Sequence, residues 1–131
     1  MDPKVAHELV QLMEQVVEKG GTGAPASLIG YQVSGKTGTA FKSIAGGYST
    51  DRIMAVFAGL VPASHPKLAT VVVIDEPNRD VGQMGLLAQG GTVAAPVFSN
   101  LMSGALRLMD VPPDDLQNVP AATLVQANDV P

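Results

Sequence analysis

The chain has 131 residues, 46% apolar and 15% charged, with a formal net charge of −4 and no cysteine. That is the size of one domain or part of one, and it excludes a disulfide framework, a thiol nucleophile and a Cys-based zinc site. The acidic balance and the few aromatics, 2 Tyr, 3 Phe and no Trp, argue against a basic groove with stacking platforms, so nucleic acid is not an expected partner.

Asp2 and Pro3 form a helix start, and Val5, Leu9, Leu12, Met13, Val16 and Val17 recur at helical spacing, which predicts a helix over about residues 3–18. The run from Gly20 to Pro25 ends it. A strand is expected over Tyr31 to Thr39, followed by a polar loop from Phe41 to Asp51. Arg52 to Val61 and Leu68 to Asp75 read as two further strands joined by the turn Pro62 to Lys67. Both are apolar at odd and even positions: Ile53, Ala55 and Phe57 on one face, Met54, Val56 and Ala58 on the other. Both faces of the sheet should therefore be covered. After a Gly-rich loop over Asn78 to Gly91, a second helix starts near Thr92, with Pro96 in its first turn and a stripe of Val97, Phe98, Leu101, Met102, Ala105, Leu106 and Met109.

The expected fold class is α/β of the α+β type, an antiparallel sheet flanked by helices over residues 1–110, followed by a Pro-rich extended or disordered tail over 111–131. Two helices give at most one layer per face, and a bare apolar face of this size is not expected, so another polypeptide segment should complete the sheet. The apolar runs Ile53 to Val61 and Leu68 to Ile74 fall short of the ~20 residues of a spanning helix, and the N-terminus lacks the pattern of a signal peptide.

The chemistry concentrates in Lys36-Thr37-Gly38-Thr39, which offers a cation, two hydroxyls and a residue without a side chain, where an extended ligand could pair with the strand. Lys36 would attract a carboxylate or activate a neighbouring hydroxyl, Thr37 and Thr39 would bind carboxylate oxygens, and Gly38 would let a ligand backbone approach. The four residues alone read equally as an edge-strand lysine beside a bulge glycine. His7 and His65 stand far apart and His7 reads as solvent-facing. Asp75, Glu76 and Asp80 read as a solvated loop, and Met54, Met84, Met102 and Met109 as core filling; no metal site or cofactor is expected.

Lys-Thr-Gly is the third signature of the serine acyltransferases that include penicillin-binding proteins and class A β-lactamases. Its surroundings sharpen the match: Tyr31 to Ala40, Phe57 to Ala63, Ala69 to Pro77, Gly90 to Phe98, and Gly104 to Met109 followed by Val111-Pro112-Pro113-Asp114. In order and spacing these blocks resemble the C-terminal end of a class B penicillin-binding protein of the division type, over nearly the whole chain. The resemblance implies a peptidoglycan D,D-transpeptidase that cross-links stem peptides through an acyl-serine, is acylated by β-lactams, works at the periplasmic face of the bacterial inner membrane and meets cell-division proteins. It implies Lys36 and Thr39 as catalytic, the backbone N–H of Thr39 serving the oxyanion hole, and Lys36, Thr37, Gly38 and Thr39 as substrate-binding. Two departures concern the cleft mouth: Phe41 stands where relatives often have a basic residue, and Ala88-Gln89 where they have aromatics. Phe41 reads instead as a loop anchor packed on the strand.

The nucleophile is missing. Ser64-His65-Pro66-Lys67 matches Ser-x-x-Lys in letters, but the chemistry needs both side chains one helical turn apart, and Pro66 sits inside a turn. Ser99-Asn100 lacks the spacer of Ser-x-Asn. The serine is expected on an upstream segment, and the chain alone is expected to be inactive. The alternative is a non-catalytic penicillin-binding-like scaffold or sensor domain. A D,D-carboxypeptidase or β-lactamase relative fits the Gly-Gly and Ala-Pro-Val-Phe blocks less well.

Overall fold

The structure is a computed structural model that describes residues 1–78 and 88–120. Helix α1 runs over Pro3–Glu14, started by the Asp2 carboxylate, which accepts from the Lys4 N–H at 2.7 Å. It ends earlier than its apolar spacing suggests. The N–H groups of Val16 and Val17 bond three residues back, to Met13 and Glu14, and a 3₁₀ turn over Ala24–Ala26 follows. No α1 residue is fully buried, and Val5, Leu9 and Leu12 are exposed.

Three antiparallel strands, β1 (Ser34–Ile44), β2 (Gly47–Val61) and β3 (Leu68–Asp75), form a sheet in the order β1-β2-β3. The expected loop from Phe41 to Asp51 is instead the continuation of β1 and β2 into a tight hairpin, turned at Ala45-Gly46 with Gly46 at φ 86°. Its polar residues alternate with Phe41, Ile44 and Tyr48, so a two-sided solvated ribbon has the composition of a loop. A bulge falls at Lys42, where the register shifts between Phe41 and Ser43. Phe41 pairs with Ile53 and is 53% exposed, so it is not a packed anchor.

Helix α2 (Ala95–Leu108) follows a π-helical turn over Gly90–Ala94. Its buried stripe, Phe98, Met102 and Leu106, lies on the sheet face that carries Ile53, Ala55, Phe57 and Val61. Phe57 and Phe98 meet edge to face with centroids 4.9 Å apart, and the Thr70 hydroxyl donates to the Met102 sulfur at 3.6 Å. The opposite face is only partly covered. Near α1, Ser34 is fully buried and its hydroxyl donates to the Val10 carbonyl at 2.8 Å; further along, Val71 and Val73 are 63% and 52% exposed. Among the described residues the expected second layer is thus present at the α1 end only. Met102 is core, whereas Met54 and Met109 are exposed.

Residues 111–120, expected to belong to an extended or disordered tail, are docked on the body. The Tyr31 hydroxyl donates to the Val111 carbonyl at 2.7 Å, and the Asp115 N–H donates to the Gly30 carbonyl at 3.0 Å. Asp114 accepts from the Gln32 N–H at 2.8 Å and from the Ser64 hydroxyl at 2.6 Å. A 3₁₀ turn over Leu116–Asn118 follows. Residues 121–131, Asp80 and Met84 lie outside the described residues.

Candidate active site

Lys36, Thr37, Gly38 and Thr39 lie in β1, paired across to Ala58, Phe57, Val56 and Ala55. Because side chains alternate along a strand, Lys36 and Gly38 face the open side with Ala58 and Val56, while Thr37 and Thr39 share the face of Phe57 and Ala55. β1 is an edge of the sheet, so its outer N–H and C=O groups are available to an extended ligand.

Lys36 is exposed and its ammonium donates to the Thr37 carbonyl at 3.1 Å; among the described residues it forms no ion pair. It borders a shallow cavity of about 240 Å³ shared with Met13, Ser34, Ala58, Leu60 and Val71. The hydroxyls of Thr37 and Thr39 are each held by a loop: Thr37 lies 3.1 Å from the Thr22 hydroxyl, and Thr39 accepts from the Gly90 N–H at 3.2 Å. A Cβ at Gly38 would make only an ordinary contact with Val56 at 3.6 Å, so the chain's own packing does not demand a glycine there. At Gly90 it does. A Cβ would collide with the Val56 carbonyl and with the Gly38 backbone, and one at Gly91 would collide with the Thr22 carbonyl. The Gly-Gly pair thus seals the α2 entry by backbone contact, Gly90 onto β1 and β2 and Gly91 onto the Thr22 loop.

The remaining candidates are occupied elsewhere. Ser64 lies in the turn between β2 and β3, not on a helix, with its hydroxyl on Asp114; Ser99 lies on α2 and donates to the Ser27 carbonyl at 2.9 Å. No described serine hydroxyl bonds to Lys36. Asp75 and Glu76 are held by Lys42 at 2.9 and 2.7 Å, and hydrogen bonds to Glu76 and Asp75 raise the Lys42 pKa above the usual lysine range. A hydrogen bond from Ser49 lowers the pKa of Asp51. His7 and His65 are exposed. Among the described residues no group of three His, Asp or Glu could hold a metal ion, and no helix is long and apolar enough to cross a membrane.

Sequence reasoning missed Thr22, read only as part of a helix-ending run, and the hydrogen-bonding role of Gly90. Neither loop carries a local signal for a partner 15 or 51 residues away.

Lys36 and the two held hydroxyls of Thr37 and Thr39 thus stand together on an edge strand that is backed by α2 and, among the described residues, open on the other face. The profile of the penicillin binding protein transpeptidase domain matches residues 1–103. The chain belongs to the penicillin-binding protein transpeptidase family. It is 41% identical over 121 residues to the probable peptidoglycan D,D-transpeptidase PbpC of Pseudomonas aeruginosa, covering 92% of this chain and 20% of that protein. It is 42% identical over 112 residues to the peptidoglycan D,D-transpeptidase FtsI of Escherichia coli, covering 86% of this chain and 18% of that protein. Among solved structures, the transpeptidase domain of Burkholderia pseudomallei penicillin-binding protein 3 matches with a TM-score of 0.74 at 38% identity, over 86% of this chain and 32% of that one. Penicillin-binding protein 3 of Mycobacterium tuberculosis, solved with ampicillin, matches with a TM-score of 0.71 at 30% identity, over 84% of this chain and 25% of that one. The chain therefore spans about one fifth of the length of these curated relatives.

Proposed function

We propose that this chain supplies the Lys-Thr-Gly wall of a peptidoglycan D,D-transpeptidase whose nucleophilic serine comes from an upstream segment of the same protein. The observation that carries this reading is the edge strand β1, with Lys36 facing the open apolar side and the Thr37 and Thr39 hydroxyls held on the other. In the reaction, the serine oxygen attacks the carbonyl of a stem peptide's D,D-bond. The C–N bond breaks, and the terminal residue leaves as an amine that takes up a proton. The amine of a second stem peptide then attacks the ester, forming the cross-link and returning the serine hydroxyl. A β-lactam follows the first half, its ring C–N bond opening.

Lys36 holds the serine hydroxyl in its reactive state, and its positive charge favours developing negative charge in the cleft. Thr37 and Thr39 donate to the ligand carboxylate, Gly38 allows close approach of the ligand backbone, and the Thr39 N–H stabilises the oxyanion. Losing an oxyanion donor typically costs about 2.7–4 kcal/mol. This reading places the reaction at the periplasmic face of the inner membrane, with cell-division proteins as partners. The chain without the serine segment is inactive.

The test is acylation of the intact transpeptidase by a fluorescent penicillin. Lys36→Ala should slow acylation by about 100-fold or more, the usual weight of a positioned proton-transfer group. Thr39→Val should weaken it without unfolding the protein. Wild-type reactivity of Lys36→Ala would remove the assignment. An intact protein that takes up no penicillin at all would instead favour the non-catalytic scaffold reading.

A further inference from the structure

We propose that Thr22 is a positioning residue: it sets the hydroxyl of Thr37 so that its proton is delivered to a ligand carboxylate. The inference rests on the transpeptidase reading above and deepens it. A threonine hydroxyl carries one proton and two acceptor lone pairs, and a hydroxyl that accepts from a neighbour keeps its proton for a third group. Thr39 is held in this way, since the Gly90 N–H can only donate and occupies a lone pair of Oγ1 at 3.2 Å. Thr37 has the corresponding arrangement with a different partner. Its Oγ1 lies 3.1 Å from the Thr22 hydroxyl, a contact that runs in either direction because both groups donate and accept. At rest Thr37 donates to Thr22. When a carboxylate arrives, Thr22 turns its own proton onto Thr37, and the Thr37 proton swings to the anion.

The loop that carries Thr22 is built to hold this position. The Gly21 N–H donates to the Glu18 carbonyl and the Gly23 N–H to the Val16 carbonyl, each at 2.8 Å, tying both sides of Thr22 to the turn that follows α1. On its other flank the Thr22 carbonyl lies where any Cβ on Gly91 would be. The two loops that reach the strand therefore brace one another, one presenting Thr22 to Thr37 and the other Gly90 to Thr39. Residues two apart on one strand face stand about 7 Å apart, a spacing that one carboxylate can bridge with a hydrogen bond of about 2.7 Å on each side. Both hydroxyls then donate to the same anion, which matches the stem-peptide terminus and the β-lactam carboxylate in charge.

The test compares a penicillin with its methyl ester on the intact transpeptidase, measuring the dissociation constant of the encounter complex and the acylation rate constant separately. Thr22→Val and Thr22→Ala should each raise the dissociation constant for the free acid by about 3–10-fold, the worth of one hydrogen bond, and leave that for the ester within about twofold. Thr22→Ser should restore acid binding, and unfolding midpoints of all three should stay near the wild type. Equal losses on acid and ester, or no loss on either, would overturn the role of Thr22. A Thr37→Val protein that still prefers acid to ester as the wild type does would overturn the carboxylate reading beneath it. If Val and Ala unfold the protein while Ser does not, Thr22 is a structural residue and the proposal fails.

Discussion

Lys36 and Thr37 are adjacent in sequence but serve opposite sides of β1, and that alternation divides the site between a cation on the open face and hydroxyls on the braced one. Asp114 shows the same economy, with one carboxylate accepting from Gln32 at the approach to β1 and from both the N–H and the hydroxyl of Ser64 in the β2–β3 turn. That charge has a consequence for Glu14. Burial first, then repulsion from Asp114 and Glu18, raises the Glu14 pKa, while His7 acts in the opposite sense. A carboxyl whose pKa is higher folded than unfolded favours the fold only while protonated. Its contribution is complete below the ordinary glutamate value of about 4.3 and is lost as pH rises through the raised one. Glu14→Gln should therefore raise the melting temperature at pH 7, modestly because the group is partly solvated, and the advantage should vanish by about pH 4. Thermal scans across that range check it. A constant gain at every pH would assign the effect to packing.

At the scale of elements, β3 is legible in the sequence as a continuous apolar run of strand length, although it packs only one face and leaves Val71 and Val73 exposed, and α2 as an apolar stripe of helical period that buries Phe98, Met102 and Leu106. The β1–β2 hairpin is not, because a ribbon solvated on both sides alternates weakly and its Ser, Gly and Lys residues also suit a loop. The entry to α2 depends on backbone contact rather than side-chain pattern. Gly90→Ala would push its methyl into the Val56 and Gly38 carbonyls, neither of which can yield without moving the strand. The variant should lose about 1–3 kcal/mol, as overpacked sites do. Under the proposed function it should also weaken carboxylate binding by the intact transpeptidase, because the Gly90 N–H is drawn off Thr39. Denaturant unfolding together with penicillin binding checks both effects; a fully stable variant with normal binding would show that the loop adapts without loss.

Across the whole molecule the two faces of the sheet differ. The α2 face holds the core of Phe57, Val61, Phe98, Met102 and Leu106, whereas beyond α1 the other face, among the described residues, leaves Val71 and Val73 open on the side that carries Lys36. Under the proposed function this open side is where the serine segment packs. Val71→Lys with Val73→Lys should then leave the unfolding midpoint of the isolated chain nearly unchanged while destabilising the intact transpeptidase by several kcal/mol, since burying each Val is worth about 1.5–3 kcal/mol. Parallel melts of the two proteins check it. Equal tolerance in both would mean that nothing covers this face.

The local chemistry follows from the amino-acid order alone: the helix start at Asp2-Pro3, the periods of β2, β3 and α2, the Lys36 to Thr39 run and the ordered blocks that resemble the family. All of these are encoded in neighbouring residues. Folding in three dimensions settles the rest: which side of β1 each group serves, that Thr22 and Gly90 hold the two hydroxyls, and that residues 111–120 are docked on the body. Those outcomes depend on register and on contacts between loops distant in sequence, where a glycine or a threonine looks locally like any other turn residue.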